Sequence, residues 1–164
     1  MTVEVRPAKP ADVRGIRAVA RAAWQDAHVA IAGREAVEEF LAAYYDADSF
    51  RERIADDEAM LDVAVDGTAD VVGYVFVTRG EGETYSLAHI YVDPERWGEG
   101  IGRQLLDHVE TRVRERGGEH VSLGVMVENE RARRFYEAAG YEKTDEFDDE
   151  RLGVRACTYE KSLI

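Results

Sequence analysis

At 164 residues, 45% of them apolar and 34% charged, the chain fits a single domain, 1–164. It is too apolar for disorder, and its apolar runs fall short of the roughly 20 residues of a membrane-spanning helix. Thirty-four acids against 21 bases leave a net charge of -13, which opposes nucleic acid and an anionic bilayer as partners. Cys157 is the single cysteine, so neither an internal disulfide nor a cysteine-based zinc cluster is available. The segment Met1 to Arg6 has no basic stretch followed by an apolar one, and the expected location is cytoplasmic. The only lysines are Lys9, Lys143 and Lys161, and the acids are scattered over every segment. Such a pattern suits a halophilic cytoplasm, where a Debye length of about 3 Å at 1 M salt screens self-repulsion, with a strongly charged mesophilic protein as the alternative.

Thr2 to Arg6 alternates as a short strand, broken by Pro7 and Pro10. Val13, Ile16, Val19, Ala20, Ala23 and Trp24 then form an apolar stripe at helical spacing. A second helix is expected over 35–45 after Gly33, and a third short one capped by Ser49. Met60 to Val65 and Val71 to Thr78 read as antiparallel strands around Asp66-Gly67. Thr84 to Val92 is a further strand, followed by a helix over 101–116 that Gly117-Gly118 stops. His120 to Val127 reads as a strand, 129–139 as a helix stopped by Gly140, and Tyr141 with Ala156 to Leu163 as the closing strands. This order gives an α/β fold, a mixed and mainly antiparallel central sheet flanked by helices.

The most specific local feature is Arg96-Trp97-Gly98-Glu99-Gly100-Ile101-Gly102-Arg103, set between a strand and a helix. Three glycines in five residues let backbone amides turn into one concavity at a helix N-terminus, which suits a pyrophosphate. A dinucleotide fold places its glycine turn after the first strand instead.

Two segments together resemble the GNAT superfamily of acetyl-coenzyme A-dependent N-acetyltransferases. One is Ile90-Tyr91-Val92-Asp93-Pro94 with the glycine turn and Gln104-Leu105-Leu106; the other runs from Asn129 through Phe135-Tyr136 to Gly140-Tyr141. The resemblance implies that acetyl-coenzyme A is the co-substrate, with no metal. It implies that backbone groups of the strand carrying Ile90, Tyr91 and Val92 hold the pantetheine arm. Amides of Gly98, Glu99, Gly100, Ile101 and Gly102 would cradle the pyrophosphate, Arg103 would add charge, and Asn129 would meet the arm from the other side. The strands 84–92 and 120–127 would splay, helped by a bulge, and Tyr136 would protonate the leaving thiolate.

Two positions depart from the family pattern. Trp97 stands where Gln or Arg is usual, which backbone binding tolerates. Ser86 stands where many members carry a glutamate base, and serine has no useful basicity near neutral pH. The proton would then leave through water to Glu83 or His89, although a strand histidine is more often packed than basic. The resemblance implies an acceptor that is a small-molecule amine or a basic peptide, with a protein N-terminus or lysine as the runner-up, walled by the helical region of Trp24, His28, Tyr44 and Tyr45. A catalytically quiet coenzyme A-binding module is the other reading, and a homodimer is compatible with either. Asp26, Glu35, Asp145, Glu146, Asp148, Asp149 and Glu150 lie in segments that usually border the acceptor, which favours a cationic amine.

Overall fold

The computed structural model describes residues 3–164; Thr2, the expected first residue of the first strand, lies outside them. The strands are β1 (Glu4–Pro7), β2 (Met60–Val65), β3 (Val71–Arg79), β4 (Thr84–Val92), β5 (His120–Met126), β6 (Glu142–Asp149) and β7 (Val154–Ser162). They form one sheet in the order β1-β2-β3-β4-β5-β7-β6. Only β4 and β5 run parallel. The helices are α1 (Val13–Ala27), α2 (Val29–Ala32), α3 (Arg34–Tyr44), α4 (Ala47–Ala55), α5 (Ile101–Glu115) and α6 (Glu130–Ala138). No described helix is long and apolar enough to cross a membrane.

Strand alternation distributes side chains to two layers. Leu61, Val63, Val65, Tyr74 and Phe76 pack with the stripes of α1, α3 and α4. Met60, Ala64, Val75 and Val77 pack with α5 and α6 on the opposite face. Asp62 shares the α5 face and accepts hydrogen bonds from His108 Nε2 (2.5 Å) and Arg112 (3.2 Å). Leu105 and Leu106 of α5 are fully buried, each stabilising the fold by about 2 kcal/mol. That burial fixes the axis of α5 and keeps its N-terminus aimed at the end of β4.

Three details differ from the sequence expectation. Asp46, not Ser49, caps α4: its carboxylate accepts from the Ser49 amide at 3.2 Å and the Ser49 hydroxyl at 2.5 Å. The four-residue α2 fills the space before Gly33, whose φ of 90° turns the chain into α3. The acidic stretch that follows Tyr141, outside the strands expected from the sequence, is strand β6, paired along its length with β7.

Candidate active site

The parallel β4–β5 ladder holds only for Thr84 to Ser86 against His120 to Ser122. Beyond it the two strands diverge, and the β5-facing edge of β4 from Leu87 to Val92 has no strand against it. A register shift opposite Phe76 and Val77 leaves Ala88 as an extra residue on β4. This bulge reverses the alternation, so His89 and Tyr91 face the α1–α3 layer while Leu87, Ile90 and Val92 face α5. The resulting cleft has a volume of about 1140 Å³.

The glycine turn closes one end of the cleft. After the turn Pro94–Arg96, the Trp97 indole donates to the Val92 carbonyl at 3.0 Å and lies under the Arg131 guanidinium at 3.5 Å. Arg96 pairs with Glu99 at 3.0 Å and with Asp66 at 3.2 Å. Trp97 therefore pins the turn by its ring, which accounts for its use in place of Gln or Arg. Gly98 (φ 86°) and Gly100 (φ 82°) occupy left-handed conformations, and a Cβ at either would meet nothing within 4 Å. The Gln104 amide is the first of α5 to bond back, to Gly100, so the amides of Ile101, Gly102 and Arg103 are left for a ligand. Open space in front of unpaired amides at a helix N-terminus fits a pyrophosphate.

Gly102 is helical, and its added Cβ would touch the Phe135 ring at 3.5 Å. Arg103 lines the cleft and pairs with Asp107 at 3.1 Å. Glu99 is not among the lining residues: its carboxylate is turned to Arg96.

Ser86, His89, Ile90, Tyr91, Val92, Asn129 and Tyr136 all line the cleft. Asn129 caps α6 through its side-chain oxygen, 3.2 Å from the Ala132 amide, which leaves its amino group for a ligand. Tyr136 is buried, and that burial raises its pKa well above the tyrosine norm, so the phenol keeps its proton at neutral pH. No described residue hydrogen-bonds its hydroxyl. His89 stacks flat on Tyr45 at 4.6 Å and its Nδ1 lies 3.0 Å from the Tyr74 hydroxyl. Burial, then the Arg53 charge, push its pKa down to about 3. At neutral pH it is an uncharged, very weak base. Glu83 is not brought to the cleft. It sits where β4 and β5 are still joined, its carbonyl accepting from the Glu119 and His120 amides, and its carboxylate raises the pKa of neighbouring Glu119.

The family model for the Acetyltransferase (GNAT) family matches residues 20–141. The chain belongs to that family. It is 38% identical over 104 residues to a mycothiol acetyltransferase of Propionibacterium freudenreichii, a match covering 58% of this chain and 32% of that protein. The chain thus spans about a third of that relative's length. It is 32% identical over 108 residues to an uncharacterized N-acetyltransferase of Mycobacterium tuberculosis, covering 63% of this chain and 68% of the relative. Among solved structures, the PaiA N-acetyltransferase of Thermoplasma acidophilum in complex with coenzyme A superposes with a TM-score of 0.88 at 20% identity, over 99% of each chain. It shares the fold.

The other half of this GNAT cleft is aromatic. Trp24 packs on Phe40 (4.8 Å) and His28 (4.3 Å), and the Tyr45 and Tyr91 hydroxyls are 3.4 Å apart. Burial lowers the His28 pKa to about 4. Of the acids expected at the acceptor border, only Asp26 and Asp149 line the cleft. Arg151 binds Asp149 at 3.2 Å and lies over Phe40 and Tyr44, and Arg53 lines the same half. Neither arginine stood out in the sequence, where a charged residue at the end of a helix or in a turn reads as solvated. Two cations beside two anions remove the electrostatic preference for a cationic acceptor. Among the described residues no group of three or more His, Cys, Asp or Glu is placed to hold a metal ion.

Proposed function

We propose that this chain is an acetyl-coenzyme A-dependent N-acetyltransferase that moves an acetyl group to the primary amine of a small molecule by direct attack within the cleft. The observation that carries this is the divergence of β4 from β5 after Ser86, directly behind a glycine turn with open, unpaired amides. Acetyl-coenzyme A supplies an activated carbonyl as a thioester. The amides at the start of α5 hold the pyrophosphate, and the open edge of β4 beyond the bulge aligns the arm. Holding both reactants in one cleft converts an encounter in solution into attack at fixed distance. Tyr136, protonated at neutral pH and lining the cleft, donates to the departing sulfur. Ser86 and neutral His89 do not take the amine proton, so it leaves to water through the open mouth.

The absence of a carboxylate at Ser86 supports a second reading, a module that binds coenzyme A and transfers nothing. Thiol release from acetyl-coenzyme A with a panel of primary amines separates the two. Amine-dependent release supports the transferase. Tight coenzyme binding without release across the panel supports the module.

A further inference from the structure

Three buried side-chain nitrogens among the described residues have no hydrogen-bond partner: Trp24 Nε1, His28 Nδ1 and Arg53 Nη1. All three belong to residues that line the cleft. Native folds leave few such groups, because each loses its hydration without a replacement bond. Trp24 Nε1 stands next to the Tyr45 and Tyr91 hydroxyls, which interact with it, so it is the least exposed of the three to a missing partner. Unpaired groups gathered on one wall of an open cleft mark where water or a bound molecule supplies the missing bonds.

Arg53 is the most informative of the three. It leaves the last turn of α4, donates from Nη2 to the Tyr44 carbonyl at 2.8 Å, and lies over the Phe50 and Phe76 rings at 4.9 and 5.3 Å. It forms no ion pair among the described residues, whereas Arg151 in the same wall is held by Asp149. The side chain as a whole is half-buried, and Asp46 lies within reach of its charge, but the buried Nη1 is a charged donor facing the cleft without an acceptor, and an arriving anion supplies one. Arg53 also stands beside His89, one residue past the bulge and three past Ser86. At about 3.3 Å per strand residue, that is within roughly 10 Å of the point where the cleft opens.

Building on the acetyl transfer proposed above, we infer that Arg53 binds a carboxylate of the acceptor, which is therefore a small amino acid-like molecule with an apolar or aromatic body. One open guanidinium nitrogen matches a single negative charge. A phosphate dianion would leave charge uncompensated in a wall that already holds Asp26 and Asp149. The rings of Trp24, Phe40, Tyr44 and Tyr45 supply the apolar surface for the body.

The test uses matched probes: L-phenylalanine, L-phenylalaninamide and phenethylamine, with 6-aminohexanoate and hexylamine as a longer pair. Each is titrated by calorimetry into the protein loaded with coenzyme A, and each is assayed for thiol release from acetyl-coenzyme A. The acid should be preferred over its amide or amine in at least one set by about tenfold or more, the scale of a charge-assisted hydrogen bond. Arg53→Met keeps an apolar stem on the Phe50 and Phe76 rings and should abolish that preference, while Arg53→Lys retains part of it. Coenzyme affinity, measured on the same variants, should match wild type, and each variant should still unfold in one cooperative transition. Equal treatment of acid, amide and amine, a preference that survives in Arg53→Met, or no binding of any probe to the loaded protein would each overturn the inference. Acid-selective binding without thiol release would leave it standing and overturn the acetyl-transfer reading instead.

Discussion

His89 titrates near 3 in the fold because it is buried and stands beside Arg53, against about 6.5 in an unfolded chain. Above pH 6.5 both states are neutral and the difference is silent. Below it the unfolded chain takes up a proton that the fold refuses, so stability is lost as pH falls towards 3. At pH 5 the unfolded imidazole is about 1.5 pH units below its pKa, and the loss from this one group is about 2 kcal/mol. Carboxylates begin to titrate over the same interval, so wild type is read against His89→Gln, in which they are unchanged. Urea unfolding of both proteins at pH 7.5, 6 and 5 gives the stability gap at each pH. The gap should move in favour of the variant by about 2 kcal/mol between pH 7.5 and 5. A gap that stays constant would show that His89 titrates normally and would restore it as a base for the amine proton.

Gly100→Val forces a β-branched residue into a left-handed conformation (φ 82°), at a backbone cost of about 1–2 kcal/mol, and reorients the amides behind it. Calorimetry should show acetyl-coenzyme A affinity reduced tenfold or more, whereas Gly102→Ala, whose Cβ makes an ordinary contact with Phe135, should bind near wild type. Tyr136→Phe should lower kcat by about 100-fold, the lower end of general-acid effects, with coenzyme affinity intact; unchanged turnover would make Tyr136 a packing residue. With a net charge of -13, the melting temperature should rise from low to molar potassium chloride, and no rise would return the acidity to ordinary surface variation.

Much of the layout was legible because helix and strand periods are local. The stripes of α1 and α5 and the limits of β4 follow directly from residue spacing, and the glycine turn announces itself by position. The orientation of His89 was not legible. Period two places it on the face of Leu87, and only the extra residue Ala88 turns it towards Tyr45. Glu83 was drawn towards the site by nearness in sequence to Ser86. Three strand residues place it instead at the joined end of the ladder, where its carboxylate meets Glu119. Asp46 was overlooked as a cap because Ser49 carries an equally good capping group, and only backbone geometry decides between them. Arg53 gave no signal, since nothing in the sequence places aromatic rings and an unpaired guanidinium nitrogen at one particular arginine. Strand β6 was hidden by its charge: a run of acids has poor strand propensity, and pairing with β7 overrides it.

That acidic strand is also one of the sheet's two borders, opposite β1. A border strand offers unpaired backbone groups to any chain that can lie beside it, and Glu142, Asp145, Glu146, Asp148 and Asp149 are carried on this one. Lys143, Arg151 and Arg155 pair with Glu146, Asp148 and Asp149 and leave Glu142 and Asp145 uncompensated among the described residues, so a second copy approaching strand to strand would bring like charges face to face. Acidity on this strand therefore disfavours strand-to-strand pairing at β6, independently of any adaptation to salt. The two demands pull apart as ionic strength rises. At 1 M, where screening acts over about 3 Å, the repulsion that strains each molecule is relieved, and the repulsion that keeps molecules from pairing along β6 is relieved with it.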